Sequence, residues 1–389
     1  MRNVISWIRV RPILWILCVG FLAGIFACSP GVEPPTQLPG GVPSTTTPFP
    51  PGSLETVSAE TLEDIDAWFI RMSQEGSFSG AVLIGQQGEV LLNKGYGQAD
   101  RAAESANRTD TRFLIGSLTK QFTAMAILLL QSESKVSPAD RICDHINDCP
   151  PAWKAITIAH LLTHTSGLPD FSEIPLSGSA QSHLTTVEDT LALFEDLPLA
   201  FPPGERFRYS NTGYIVLGYI IEGVTGQSYG DYLREAIYLP LGMHNTGYAH
   251  PQAGLASGYE SGRSQQPVSP IDLAIPHAAG GLYSTVEDLY RWDQALYSDQ
   301  LLPPNALAEL FVPRAAISET DGTAYGYGWI IGENDGRVVE YHGGSISGYA
   351  ALLARYPAEE IVIIILANQE DVPVGALQQT IAEKLFCQE

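Results

Sequence analysis

Apolar positions recur along this chain with two periods, and the switches between them divide it. Over residues 59–75, Leu62, Ile65, Trp68 and Phe69 follow a helical spacing. Residues 80–84 and 89–92 then flank Gln-Gln-Gly, which predicts a β-hairpin. From Thr111 to about Asp321 the pattern is mainly helical. It predicts a helix over 155–167 closed by Gly167, and two more over 213–224 and 229–238. Strands return at 325–331, 337–341, 349–356 and 361–367. The last of these, Ile361-Val-Ile-Ile-Ile-Leu366, is apolar on both faces, as a strand covered on both sides of a sheet must be.

Strands early and late with helices between them predict an α+β domain over residues 54–389. Its antiparallel sheet is built from N- and C-terminal segments (54–110 and 323–389) and flanked by helices, with a mainly helical lobe (111–322) inserted. A cleft between two lobes is a natural place for a site.

The first 53 residues follow neither period. Three arginines and no acid precede an uncharged apolar run over residues 13–27, which ends in Gly24-Ile-Phe-Ala-Cys28-Ser29. A basic start, an apolar stretch of this length and small residues near its end make a secretory signal. Cys28, directly after Ile-Phe-Ala, resembles a bacterial lipoprotein cleavage box and is the expected lipidation site of a mature lipoprotein. The competing reading is an uncleaved anchor helix, although the run is shorter than the ~20 residues that span a bilayer comfortably. Either places the rest outside the cytoplasmic membrane, in a periplasm or at a cell surface. Residues 29–53, rich in Pro, Thr and Gly, bury too little to order themselves and read as a spacer.

Composition narrows the partners. Without the first 28 residues, 18 basic side chains face 43 acidic ones, a formal charge of −25. Nucleic-acid binding does not fit that sign. Cys143 and Cys149 flank Asp-His-Ile-Asn-Asp, and in an exported chain such close cysteines are expected to pair, two free buried thiols being the alternative. His160 and His164 lie four apart but lack the glutamate of a zincin helix, so no metal site is expected.

The candidate chemistry starts at Phe113-Leu-Ile-Gly-Ser117-Leu-Thr-Lys120. On a helix, Ser117 and Lys120 share a face. A serine hydroxyl is a poor nucleophile until a base takes its proton. A neutral lysine one turn away suits that task if its pKa falls from about 10.4 to near neutrality, and burial pushes it there. Ser132-Glu-Ser-Lys135 repeats the spacing, but in a polar stretch that reads as a solvated helix end. The first copy is followed by Phe122, Met125 and Ile127 to Leu130, a helix apolar nearly all round and therefore buried. Two further elements occur once each. In Tyr209-Ser-Asn211, a phenol with its pKa lowered by Lys120 would shuttle a proton, and Asn211 offers a donor and an acceptor. His342-Gly343-Gly344-Ser345 follows the predicted strand 337–341, with glycines that let a ligand approach the backbone.

Together these three elements resemble the motifs of the serine β-lactamase and penicillin-binding protein superfamily, in its class C-like branch. The resemblance runs from about Leu54 to the C-terminus and includes Ile158-Ala-His-Leu-Leu-Thr-His-Thr-Ser-Gly-Leu168 and Ala279-Gly-Gly-Leu-Tyr-Ser-Thr-Val-Glu-Asp-Leu289. It implies a serine hydrolase that forms an acyl-enzyme, with Ser117 as nucleophile and Lys120 and Tyr209 sharing the acid–base work in an order left open. It further implies Asn211, His342, Gly343 and Gly344 as substrate-binding residues, the backbone N–H groups of Ser117 and Ser345 as the oxyanion hole, and no cofactor. The third motif departs from the Lys-Thr-Gly of true β-lactamases. A lysine charge and a threonine hydroxyl for a substrate carboxylate are missing, so the expectation is a D-peptidase, amidase or esterase that hydrolyses β-lactams poorly. The alternative is a catalytically weak binding or sensing protein on the same fold.

Overall fold

The period-two alternation of one strand sorts the core into two layers. In the computed structural model, which describes residues 56–171, 193, 197–248 and 254–386, that strand is Ile361–Ala367, buried along its whole length. Val362, Ile364 and Leu366 face the helical lobe, while Ile361, Ile363, Ile365 and Ala367 face the opposite layer. Each of these Val, Ile and Leu side chains contributes roughly 1.5–3 kcal/mol when fully buried. The segments expected to be a signal and a spacer, with Cys28, lie outside the described residues, as does Cys387.

The main sheet has eight strands: β1 (Gly80–Gln86), β2 (Glu89–Tyr96), β3 (Ala315–Ala316), β4 (Ala324–Tyr325), β5 (Ile330–Asn334), β6 (Arg337–Ile346), β7 (Tyr349–Tyr356) and β8 (Ile361–Ala367). Their order is β2-β1-β8-β7-β6-β5-β4-β3, with every neighbouring pair antiparallel. Val82 of β1 lies opposite Ile365 of β8, so the early and late strands do share one sheet. Its outer face is covered by α1 (Ala59–Gln74) and α6 (Val374–Phe386), through residues such as Phe69 and Ile381. Helix α1 starts at Ser58, whose hydroxyl accepts the Thr61 N–H at 3.1 Å.

The inner face carries the lobe of α2 (Thr119–Ser132), α3 (Ile158–Leu162), α4 (Asn211–Thr225) and α5 (Val286–Ala295). In α2 every residue from Thr119 to Leu128 is buried, polar ones included. The disulfide Cys143–Cys149, with Cα atoms 5.3 Å apart, packs at the edge of this core. Arg355 on β7 ties the layers together. It donates to Asp293 of α5 at 3.0 Å and to Glu340 of β6 at 3.1 Å, all three being buried.

Four local expectations change. The helix predicted over 155–167 is only α3, because His164 adopts a left-handed φ of +57° and its carbonyl accepts the Arg208 N–H at 2.9 Å instead of a helical donor. The strand predicted over 325–331 is two, β4 and β5, since Gly328 turns the chain with φ +76°. The predicted strand 337–341 continues to Ile346, so His342-Gly-Gly-Ser345 lies within β6 rather than after it. Inside the helical region, Leu282–Ser284 pairs with both Phe113–Leu114 and Gly247–Tyr248. Segments of two or three residues are too short to display a period.

Candidate active site

Ser117 sits in the single 3-10 turn Gly116–Leu118 that leads into α2, and Lys120 is the second residue of that helix. The one-turn spacing brings Lys120 Nζ to 3.1 Å from Ser117 Oγ. Two other acceptors hold the amine, Asn211 Oδ1 at 2.8 Å and the Ala279 carbonyl at 2.8 Å. Lys120 is fully buried, and burial pushes its pKa from 10.5 down to about 7, with Asp170 opposing. A neutral amine has two N–H bonds and one lone pair. The two oxygens can only accept, so they take both hydrogens and leave the lone pair for the Ser117 hydroxyl.

Asn211, the first residue of α4, is itself held. Asp170 accepts its backbone N–H at 2.6 Å and its Nδ2 at 3.1 Å. With Nδ2 committed to a carboxylate, Oδ1 must face Lys120.

The Tyr209 phenol lies close enough to the Ser117 side chain to interact with it. The Tyr209 ring centroid lies 4.8 Å from Lys120 Nζ. The expectation that Lys120 lowers the phenol's pKa is not met. Burial dominates and raises it well above its ordinary value, while the neighbouring Ser117 lowers it only in part. Tyr209 therefore stays protonated, and the titrating group near neutrality is the lysine.

β6 crosses the Gly116–Leu118 turn at very close range. A Cβ on Gly344 would lie 2.0 Å from the Ile115 carbonyl oxygen and 3.1 Å from the Ser117 nitrogen. A Cβ on Gly116 would in turn lie 2.9 Å from the Ser345 nitrogen. Two residues without side chains let the Ser117 and Ser345 amides come side by side, next to the serine hydroxyl.

His342, implied as a substrate-binding residue, has its ring engaged within the protein. It is 3% exposed, and both ring nitrogens are used inside the protein. Nδ1 donates to the Gly343 carbonyl at 2.6 Å, which fixes the tautomer, so Nε2 accepts from the Tyr325 hydroxyl at 2.8 Å. Burial, with the charge of Lys120 adding, brings its pKa to about 3. The imidazole is neutral at physiological pH and has no free donor.

The predicted residues Ser117, Lys120, Tyr209, Asn211, His342, Gly343, Gly344 and Ser345 thus converge on one place. The disulfide lies elsewhere in the helical lobe. The decoy, Ser132 and Lys135, is at the exposed end of α2. His160 and His164 do not share a site: His160 Nδ1 caps α3 through the Thr157 N–H, and His164 packs behind Tyr209. Asp170, Tyr325 and the Ala279 carbonyl were not singled out from sequence. Asp170 follows Ser166-Gly-Leu-Pro and Ala279 opens Ala-Gly-Gly, but neither residue type nor spacing marks a supporting role.

A model of the beta-lactamase family matches residues 65–386. Penicillin-binding protein 4* of Bacillus subtilis (strain 168) is 30% identical over 323 residues, covering 78% of this chain and 71% of that protein. Among solved structures, the penicillin binding protein from Bacillus halodurans superposes with a TM-score of 0.72 at 31% identity, over 82% of this chain and 98% of that one. A D-stereospecific amidohydrolase from Streptomyces sp. superposes with a TM-score of 0.69 at 26% identity, over 85% of this chain and 98% of that one.

Proposed function

The chain belongs to the beta-lactamase family, and from that premise we propose that this serine hydrolase works through an acyl-enzyme at Ser117 on neutral esters or D-amino-acid-type amides and peptides, tethered outside the cytoplasmic membrane. The observation that carries the catalytic part is the environment of Lys120: a buried amine with two fixed acceptors and its remaining valence at Ser117 Oγ. Ser117 Oγ attacks the acyl carbon while its proton passes to Lys120 Nζ, which acts as the first base. The oxyanion forms against the Ser117 and Ser345 amides, donors of a kind often worth about 3 kcal/mol each in acyl transfer. Tyr209, held protonated, gives its proton to the leaving group and is reprotonated from Lys120. Water then attacks the acyl-serine, its proton is taken up by the same pair, and Ser117 leaves as the hydroxyl.

The specificity reading is supported by His342. A β-lactamase-like carboxylate would meet a neutral imidazole already engaged on both nitrogens, beside Gly343. Losing a hydrogen bond to a charged group, worth roughly 1.5–3 kcal/mol, lowers transition-state binding about 10- to 150-fold. The name of the Streptomyces relative, a D-stereospecific amidohydrolase, agrees in direction with the amide reading. Tethering is supported by the basic, apolar and Cys28 pattern of the first 28 residues. Among the described residues no helix is long and apolar enough to cross a membrane.

The test is a panel of p-nitrophenyl esters, D-amino-acid amides and nitrocefin, with fluorophosphonate labelling mapped by mass spectrometry. Turnover of an ester or amide with label on Ser117 is expected. No turnover and no label would instead favour a binding or sensing protein. Mass spectrometry of membrane-extracted protein is expected to find an acylated Cys28; recovery of an unmodified chain wholly in the soluble fraction would overturn the tether.

A further inference from the structure

Behind Tyr209 lies a second histidine that the mechanism does not use. His164 is 1% exposed and makes three separate contacts with the segment that carries the phenol. Its carbonyl accepts the Arg208 N–H at 2.9 Å. Its Nδ1 accepts the Ser210 N–H at 3.1 Å. Its ring lies under the Tyr209 ring, with centroids 4.2 Å apart and planes 33° apart. The residues on both sides of Tyr209 are therefore bonded to one residue, whose ring also supports the phenol between them. Tyr325 meets the imidazole edge-on at 4.6 Å, and Tyr325 in turn donates to His342.

The positive φ of His164 follows from this arrangement. A helical His164 would turn its carbonyl back along α3, away from Arg208, and the bond before Tyr209 would be lost. The strained backbone is held because the adjoining segment 208–210 takes that carbonyl and that ring nitrogen at once. The tautomer is also fixed. Nδ1 accepts from a backbone N–H, so the proton of the neutral ring is on Nε2, a buried nitrogen without a hydrogen-bond partner among the described residues.

We propose that His164 is a positioning residue for the general acid: it straps residues 208–210 and holds the Tyr209 hydroxyl where a leaving group departs. The inference rests on the reading of Tyr209 given under Proposed function. A misplaced acid harms only those reactions that need one. A p-nitrophenolate departs as an anion unaided, whereas an alkoxide or an amine requires a proton in the transition state.

The experiment compares kcat/KM for the p-nitrophenyl and the methyl ester of one acyl group in four proteins: wild type, Tyr209→Phe, His164→Phe and His164→Asn. Phenylalanine keeps a ring but removes the acceptor for the Ser210 N–H. Asparagine can place Oδ1 where Nδ1 stands and tolerates a left-handed backbone. His164→Phe is expected to lose about 10- to 100-fold more on the methyl ester than on the p-nitrophenyl ester, a part of the roughly 100- to 10,000-fold that general acid–base catalysis supplies. His164→Asn is expected to keep the wild-type ratio of the two esters to within about threefold, the rescue that assigns the effect to the acceptor. If His164→Phe does not fold, as judged by circular dichroism, His164→Ala serves the same comparison.

Equal losses on both esters in the His164 variant, with a separation in Tyr209→Phe, would overturn the inference and leave His164 a packing residue. A separation in His164→Asn as large as in His164→Phe would overturn the assignment to the Nδ1 bond. No separation in Tyr209→Phe itself would refute the role of Tyr209, a different failure with its own signature.

Discussion

Replacing Lys120 by methionine keeps the length of the side chain and removes its charge, so it isolates what burying that amine costs. In the native state burial brings the lysine to a pKa of about 7, against 10.5 when it is exposed in the unfolded chain. Below pH 7 both states bind the proton, and stability does not change with pH through this group. Between 7 and 10.5 the unfolded chain still binds it while the native state has released it, so wild-type stability rises with pH. The slope is about 1.4 kcal/mol per pH unit. Over the whole window the rise is on the order of 5 kcal/mol. The variant lacks the rise. Asn211 and Ala279 lose their donor in it, but that loss is the same at every pH. The stability of Lys120→Met relative to wild type should therefore fall by about 1.4 kcal/mol for each pH unit between 7.5 and 9.5. Urea unfolding at half-unit intervals, followed by tryptophan fluorescence, measures it. Parallel curves for the two proteins would refute the reasoning, because they would mean that Lys120 keeps its proton throughout this range. The same titration has a kinetic face: wild-type fluorophosphonate labelling of Ser117 should rise through pH 7 to a plateau, as the amine becomes free to act as base.

Ser117→Ala should lose at least about three orders of magnitude in turnover, and Lys120→Ala with Tyr209→Phe should be little worse than either alone, since the groups act as a unit; additive losses in the double variant would contradict their roles. Lys135→Ala, at the exposed end of α2, should match wild type in the same assay. The ratio of nitrocefin to ester turnover should be low and flat between pH 5 and 8, because His342 is held neutral with a pKa of about 3; a ratio that climbs as pH falls through 6.5 would show that the imidazole charges and binds the carboxylate. Removing the disulfide in Cys143→Ser/Cys149→Ser should lower stability by about 2 kcal/mol, the chain-entropy value for so short a loop, and leave kcat unchanged, as read by urea unfolding and ester turnover.

Much of the layout is written in the local pattern of the chain. The unbroken apolar run in residues 361–367 states that both faces of β8 are covered, because a strand sends successive side chains to opposite faces without reference to anything distant. The apolar surround of Lys120 states that the amine is buried, and burial alone sets the direction of its pKa. The pairing of Ser117 with Lys120 was legible for the same reason, since one helical turn joins them. What the tertiary structure alone decided are the relations across long separations. Asp170 reaches Asn211, Ala279 offers its carbonyl to Lys120 from 159 residues away, and Tyr325 closes off His342. Backbone carbonyls carry no residue signature, and a carboxylate or phenol has the same letter whether it is solvated or buried. The direction of the Tyr209 pKa is not legible for this reason: sequence places a cation nearby, but only the packing reveals that burial outweighs it. The left-handed turn at His164 is of the same kind, because the bonds that make it worthwhile come from residues 208 and 210, beyond the reach of any local propensity.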